Sequence, residues 1–284
     1  MYPLSELAKR RIADALIEDV GAGDWTTQWA VAANAQADGE VTAKADGVIA
    51  GLAAFAEVYH QLGDVEIRTL VEDGERVSVG AVVVKLSGPA RAILTGERTA
   101  LNFLGHLSGV ATLTRRFVDA VEGTGARITD TRKTTPLWRE LERVATRAGG
   151  ALNHRLGLDD MVLVKENHLA CSGGIEEATR RIREANQVGL KVEVETTNMV
   201  EVKAALAAGV QRIMLDNMSL DEMEEAVRLI HTVSPRPEIE ASGGITLHNV
   251  RQVAETGVDF ISVGALTHSA PALDLSLRIG VGRR

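Results

Sequence analysis

At 284 residues the chain is long enough for one large or two modest domains, each with a buried core. Its 45% hydrophobic and 25% charged residues are those of an ordinary globular protein, and 3% aromatic content leaves the core to Ala, Val, Leu and Ile. A formal net charge of −8 argues against a general nucleic-acid surface, though not against a locally basic pocket, and the single cysteine, Cys171, excludes an intrachain disulfide and a cysteine-based metal cluster.

Met1 to Ile17 mixes Glu6, Lys9, Arg10 and Arg11 with apolar residues at helical spacing, which predicts an amphipathic helix and not a signal peptide. No apolar stretch approaches membrane-spanning length, so a cytoplasmic protein is expected. From Gly39 to Gly88 the chain gives short β-like runs punctuated by glycine: Val41 to Lys44, Val65 to Leu70 and Ala81 to Leu86. Between Pro89 and Val121 the pattern becomes helical, with Ile93, Leu101, Leu104, Leu107, Val110 and Phe117 on one or two apolar faces, and this segment is expected to bridge two domains.

After Gly125 an alternation of short buried strands and amphipathic helices runs towards the end of the chain. The strands read Arg127 to Thr129, Met161 to Val164, Lys191 to Val194, Arg212 to Leu215, Glu238 to Ala241 and Asp259 to Val263. Helical periodicity marks Gly174 to Ala185, Met199 to Ala208, Leu220 to Ile230 and Leu247 to Glu255. Parallel βα units in a row close into a (β/α) barrel, complete or short by a strand or two.

Such barrels assemble their sites at the C-terminal ends of the strands. There stand Asp130-Thr131-Arg132-Lys133, Lys165, Glu195, Asp216, Ser242-Gly243-Gly244 and Gly264. Charged groups ending apolar runs are costly to bury without a polar ligand, so six such ends on one rim point to a site. Arg132, Lys133, His154, Arg155 and Lys165, with Arg98 from the preceding helix, form a cationic set suited to a ligand with several negative charges. Glu195 and Asp216 form an anionic set suited to ribose hydroxyls or a magnesium ion carried by phosphates. The turns in "EASGGITLHN" and "VGALTHSA" offer backbone amides to a phosphate, with His268 a further candidate. Arg139, Arg143 and Arg147, interleaved with Glu140 and Glu142, read as a solvated helix face, and His168 either lines the pocket or caps a turn.

The stretch "DTRKTTPLWRELERVATRAGGALNHRLGLDDMVLVKENH" resembles the signature region of the quinolinate phosphoribosyltransferases. The similarity extends through "EDVGAGDWTT", "DGVIAGL", "GERTALNFLGHLSGVAT", "KVEVET", "IMLDNMS", "EASGGI" and "ISVGALTHSAPALDLSL", nearly the whole chain. The resemblance implies an N-terminal α/β sandwich domain over residues 1–114, joined by a C-terminal helix over 272–284, and an incomplete TIM-like (β/α) barrel over 115–271. It further implies a decarboxylating transfer from phosphoribosyl pyrophosphate to quinolinate in NAD biosynthesis, with Mg2+ accompanying the sugar substrate and no organic cofactor. Arg98, Thr131, Arg132, His154, Arg155 and Lys165 would surround quinolinate. Lys133, Glu195 and Asp216 would act on the phosphoribosyl pyrophosphate, the two carboxylates reaching magnesium indirectly. Ser242, Gly243, Gly244, Val263, Gly264, Ala265 and His268 would hold phosphate. A homodimer, or a hexamer built as a trimer of dimers, would donate Arg98 across its interface.

The chain departs from the family pattern at Leu137-Trp138, where a glycine is common after the proline, and at Ala151, Glu166 and Thr196-Thr197, none of which removes a charged contact. Two other readings stay open. One is a paralogue of the same fold acting on another ring acid, which would be expected to alter the cationic set. The other is a non-catalytic phosphosugar-binding protein, which would not need Glu195 and Asp216 together with Lys133.

Overall fold

The structure is a computed structural model in which residues 3–280 are described. The chain divides into two compact units, one taking the chain up to Arg115 with Thr134–Gly150 and everything from Leu266 onward, the other taking Arg116–Lys133 and Ala151–Ala265. Among the described residues no helix is long and apolar enough to cross a membrane.

The first unit opens with α1 (Glu6–Val20), started by Ser5, whose hydroxyl accepts the N–H of Ala8. Ala8, Ile12 and Leu16, four residues apart, are its buried stripe. Next come α2 (Trp25–Ala30), β1 (Gln36–Ala43), β2 (Gly47–Val48), α3 (Leu52–Leu62), β3 (Glu66–Thr69), β4 (Arg76–Val77) and β5 (Val82–Pro89). The apolar spacing after Pro89 becomes one long helix, α4 (Ala90–Ala120), along which the division between the units falls. Ile93, Phe103, Leu104 and Leu107 of α4 are buried with Phe55, Tyr59, Val41 and Val84, and each such side chain contributes about 1.5–3 kcal/mol by leaving water. Ser108 and Thr112 of the same helix accept the main-chain N–H groups of Ala50 and Val48, so the chain beside β2 is satisfied by helix hydroxyls. At Gly51 (φ 96°) a Cβ would stand 2.6 Å from Leu107 Cδ1, which fixes glycine at the start of α3.

The second unit contains β6 (Arg127–Thr129), and the chain then passes through the first unit's α5 (Arg139–Ala148) before returning. It continues with β7 (Val162–Val164), α6 (Glu166–Ser172), α7 (Ile175–Ala185), β8 (Val192–Thr196), α8 (Met199–Ala207), β9 (Arg212–Asp216), α9 (Leu220–Ile230), β10 (Glu238–Ser242), α10 (Val250–Glu255), β11 (Phe260–Ser262) and the short α11 (Ala265–His268). All six strands are parallel, in the order β6-β11-β10-β9-β8-β7. The first strand thus lies beside the last, as in a barrel, and Leu152 adds a single parallel bridge on the other side of Thr129. No ladder joins that bridge to β7 among the described residues, so the barrel is incomplete, as expected.

One face of this sheet is unusually polar. Register pairs Glu193 with Arg212, Arg212 with Glu238, Glu240 with Phe260 and Phe260 with Arg127, so these side chains share a face. Arg212 donates to Glu240 at 2.9 Å and to Glu238 at 2.6 Å, and both Arg212 and Arg127 lie over the Phe260 ring at 4.3 and 4.6 Å. The intervening residues Val194, Ile213, Leu215, Ile239 and Ile261 are buried apolar groups on the opposite face.

The chain's end differs from the expected helix over 272–284. Leu275–Gly280 is a strand, β12, pairing antiparallel with β1 to give the sheet β12-β1-β5-β3. Its apolar residues Leu275, Leu277 and Ile279 recur every second position, a strand period, and pack against the first unit's core. The last four positions of the expected helix lie outside the described residues. Residues 134–150 also group with the first unit instead of the barrel, because α5 buries Leu141, Ala145 and Ala148 in that unit's core.

Candidate functional site

The rim of the second unit is built where strands β6 to β10 end. β7 runs into Lys165, which starts α6, and Lys165 Nζ lies 2.6 Å from Glu195 Oε2 on β8. His168 accepts the Lys165 N–H at 2.9 Å and so caps that helix. Asp216, last residue of β9, pairs in register with Ser242, last residue of β10. Asp216 accepts the Asn217 side-chain amide at 2.7 Å, and Asn217 (φ 54°) donates its own N–H to Ser242 O at 2.9 Å. Gly243 (φ 91°) is pressed against this turn: a Cβ there would fall 2.2 Å from Asn217 Oδ1. Gly243 and Gly244 both take left-handed backbone that a larger residue would resist. The helix after them, expected from Leu247, begins only at Val250 and has six residues.

The cationic side is formed by the chain after β6 and by residues 152–155. Asp130, fully buried, accepts the His154 N–H at 2.7 Å and the Asn153 side-chain amide at 2.6 Å. Arg155 donates through Nη1 to Met161 O at 2.9 Å. The Nε atoms of Arg155 and Arg132 are both buried without a hydrogen-bond partner. Burial, then the like charge of Arg132, lowers the Arg155 pKa from its ordinary value. Two cations that disfavour each other while holding unused buried donors are chemically suited to an anionic group. Thr131 is half-buried, and its hydroxyl accepts the N–H of Lys133, an exposed residue on this rim.

His154 lies deeper, 8% exposed, with Nε2 at 3.3 Å from Glu193 Oε2 and from Glu240 Oε1. Its Nδ1 accepts the Arg155 N–H at 2.8 Å. Burial disfavours a charged ring here, whereas the two carboxylates favour it and raise the pKa to about 9. The Arg155 N–H acts against that rise, since an imidazolium would set two N–H groups head to head. Burial, then the charge of Glu240, pushes Glu193 above the usual carboxylate range. Burial alone would also raise Glu240, but hydrogen bonds from His154 and Ser262 and the charges of His154 and Arg212 bring it below its ordinary value.

Several expected residues differ in placement. Val263 is buried and its N–H is used by Thr129 O at 3.0 Å, while Gly264 and Ala265 lead into α11. Arg98 and His268 belong to the first unit, where both are exposed. Arg98 borders a groove with Asn102, His106, Thr135 and Trp138, and His268 Nδ1 contacts Ser269 Oγ at 2.7 Å. The helix face of α5 is not uniformly solvated: Arg147 is exposed and Arg143 half-buried, but Glu142 is fully buried and holds Thr135 and His106. Leu137, where a glycine is common, indeed takes left-handed backbone (φ 69°), and Ala151 has no such strain.

Glu193, Glu240 and Arg212 were not anticipated. Their signal was present in "VEVET" and "EIEAS", where charges recur every second residue and so share a face with Glu195 and Ser242.

Two family profiles together match almost the whole chain: the quinolinate phosphoribosyl transferase N-terminal domain over residues 24–108 and its C-terminal domain over residues 110–278. A Synechocystis sp. protein named "Probable nicotinate-nucleotide pyrophosphorylase (carboxylating)" is 46% identical over 265 residues, covering 93% of this chain and 90% of its own. The nicotinate-nucleotide pyrophosphorylase (carboxylating) of Mycobacterium leprae is 42% identical over 276 residues, covering 96% and 97%. The solved structure of the nicotinate-nucleotide pyrophosphorylase from Francisella tularensis superposes with a TM-score of 0.93 at 36% identity, covering 98% of each chain.

Proposed function

The chain belongs to the quinolinate phosphoribosyltransferase family, and we propose that it joins quinolinate to phosphoribosyl pyrophosphate, giving nicotinate mononucleotide, pyrophosphate and carbon dioxide in NAD biosynthesis. The observation that carries this reading is the pair Arg132 and Arg155, whose buried Nε donors have no hydrogen-bond partner. Adjacent carboxylates on a flat ring match two such forks, and binding them relieves the repulsion between the cations. Lys165 adds a point charge beside them, and Thr131 a hydroxyl.

The pyridine nitrogen uses its lone pair to form the bond to the anomeric carbon as the carbon–oxygen bond to pyrophosphate breaks. Lys133, exposed on the rim, offsets charge on the departing group, and Glu195 and Asp216 orient the ribose and favour positive character at its carbon. Ser242, Gly243 and Gly244 receive the 5′-phosphate through hydroxyl and amides, with Gly264 and Ala265 beside them. The positive charge on the nitrogen, now quaternary, stabilises the electron pair that stays on the neighbouring ring carbon when its carboxylate departs as carbon dioxide. That carbon then takes up a proton, so no organic cofactor is needed. The donor set fits a magnesium ion carried in on the pyrophosphate: Asp216 and Glu195 are hard oxygen donors on adjacent strands, and the ion would supply charge neutralisation. Glu195, already paired to Lys165, would reach such an ion only indirectly.

The assembly consistent with this reading is a homodimer, or a trimer of dimers, in which exposed Arg98 serves the ring subsite of the neighbouring chain. The test is an ultraviolet assay of purified protein with quinolinate, phosphoribosyl pyrophosphate and magnesium. Nicotinate mononucleotide that disappears on omitting any one component supports the assignment. Binding of phosphoribosyl pyrophosphate without any product overturns quinolinate as the ring acid.

A further inference from the structure

Asn217, Met218 and Ser219 carry the chain from β9 to α9. Met218 is buried, and Ser219 starts the helix by exchanging hydrogen bonds with Glu222. Asn217 takes left-handed backbone (φ 54°), which asparagine tolerates better than most side chains. Its main-chain N–H donates to Ser242 O at 2.9 Å and ties this turn to the one after β10. Backbone, buried Met218 and helix cap therefore account for the path of the chain without the Asn217 side chain.

That side chain is exposed, yet both ends of its amide meet residues of the site. The nitrogen donates to Asp216 Oδ2 at 2.7 Å. The oxygen lies against Gly243, where a Cβ would fall 2.2 Å from Oδ1 and 2.4 Å from Cγ. Turning the amide over would set its carbonyl oxygen against the Asp216 carboxylate, two acceptors face to face. The end of a side chain can ordinarily step aside from a neighbour, but this one is tethered by a charge-assisted hydrogen bond. Asp216 and Gly243 thus each limit where Asn217 lies.

We propose that Asn217 is a positioning residue that locks the Asp216 carboxylate to the phosphate turn Ser242-Gly243-Gly244. The inference rests on the assignment of both groups to phosphoribosyl pyrophosphate made above. Holding Oδ2 fixes the rotation of the carboxylate and leaves Oδ1 for the ribose hydroxyls or the ion. Set against Gly243, the same amide fixes the turn whose N–H groups receive the 5′-phosphate. The two groups that hold the sugar then keep one separation before substrate arrives, and such preorganisation shows in the binding and turnover of the sugar substrate.

Asn217→Gly isolates this role, because glycine keeps the left-handed backbone and the N–H to Ser242 and removes only the amide. Calorimetric titration with phosphoribosyl pyrophosphate and magnesium should show affinity reduced on the order of tenfold, the scale for losing a group that orients a binding residue. Steady-state kinetics should show a matching rise in the KM for that substrate and a fall in kcat, with the quinolinate KM barely changed. A merely connecting role would lower the thermal midpoint and leave both KM values alone, and unaltered affinity for phosphoribosyl pyrophosphate overturns the proposal. Asn217→Asp keeps the shape but turns a carboxylate towards Asp216, so it should bind no better than Asn217→Gly. Full affinity in the aspartate variant would assign the role to shape and overturn the part given to the donated hydrogen. A second arm needs no ligand: Gly243→Ala should lower the thermal midpoint, and lower it less in the Asn217→Gly background, where the side chain it meets is gone. Equal falls in the two backgrounds overturn the lock. Phosphoribosyl pyrophosphate that binds the unaltered protein without turnover of quinolinate defeats the choice of ring acid alone, since the positioning role is read from binding of the sugar.

Discussion

Lys165 and Glu195 form an ion pair of 2.6 Å at the ends of neighbouring strands β7 and β8, although one was expected to face the ring acid and the other the sugar. The two subsites therefore share a charge balance. Glu195→Gln removes the negative charge that favours a cationic ribose carbon and releases Lys165 at the same time. We expect kcat to fall roughly 100-fold, the scale for losing one preorganised electrostatic group. The quinolinate KM should change by a much smaller factor. Steady-state kinetics with each substrate varied separately checks this, and an unchanged kcat would return Glu195 to a structural role.

Arg155→Ala should weaken quinolinate binding by about 1.5–3 kcal/mol, the range for hydrogen bonds to a charged group. Arg155→Lys should recover little, because one ammonium cannot reproduce a planar fork held by Met161 O on one side. Isothermal titration with quinolinate measures both variants directly. Affinity within twofold of the unaltered protein would remove Arg155 from the ring subsite.

Leu137 sits in left-handed backbone with its side chain 66% exposed. Left-handed backbone costs a branched L-residue about 1–2 kcal/mol, while glycine's greater freedom in the unfolded chain costs about 0.5–1 kcal/mol. Leu137→Gly should thus stabilise the protein by about 0.5 kcal/mol, an estimate that follows from those two opposing costs. A small rise in the thermal midpoint by scanning calorimetry is the expected result, and a fall would mean that the leucine side chain makes contacts that outweigh the strain.

The parallel strands were legible because their apolar runs are short, regularly spaced and end on glycine or charge, as at Leu215-Asp216 and Ala241-Ser242. The rim residues followed from that pattern together with the family resemblance. β12 was misread because only three apolar residues, alternating in "LSLRIG", distinguish a strand from a frayed helix, and its partner β1 is far away in sequence. Glu142 was misread for a related reason: between Leu141 and Arg143 it looks like helix surface, and only the folded chain brings Thr135 and His106 to its oxygens. Likewise His154 was legible as a polar residue near the site, but which groups its two nitrogens would meet depended on Glu193 and Glu240 from other strands.

The link between Arg236 and Asp259 makes the second unit acid-sensitive. Burial alone would raise the Asp259 pKa, but the Arg236 hydrogen bond, the Ile239 N–H and the guanidinium charge outweigh it, and the pKa lies below the usual value. A carboxylate depressed by folding stabilises the native state above its unfolded pKa of about 3.9, and that stability is lost as pH falls through the folded value. Asp259→Asn should therefore be less stable than the unaltered protein at pH 7, with the difference shrinking below about pH 4. Urea denaturation at a series of pH values tests it, and a difference independent of pH would assign the effect to packing.

Arg98 gives the sharpest test of the assembly. If it serves the neighbouring chain, each site of a dimer combines Arg98 from one copy with Arg155 from the other. Arg98→Ala and Arg155→Ala proteins should each be nearly inactive alone. Co-expressed in equal amounts, they form mixed dimers in half of the population, and each mixed dimer concentrates both lesions in one site and leaves the other intact. About a quarter of the unaltered activity per site should return, as two-fold symmetry requires. If Arg98 serves its own chain, every site in a mixed dimer carries one lesion and no activity returns. Assays on mixed dimers purified through two different affinity tags make the distinction independent of expression level.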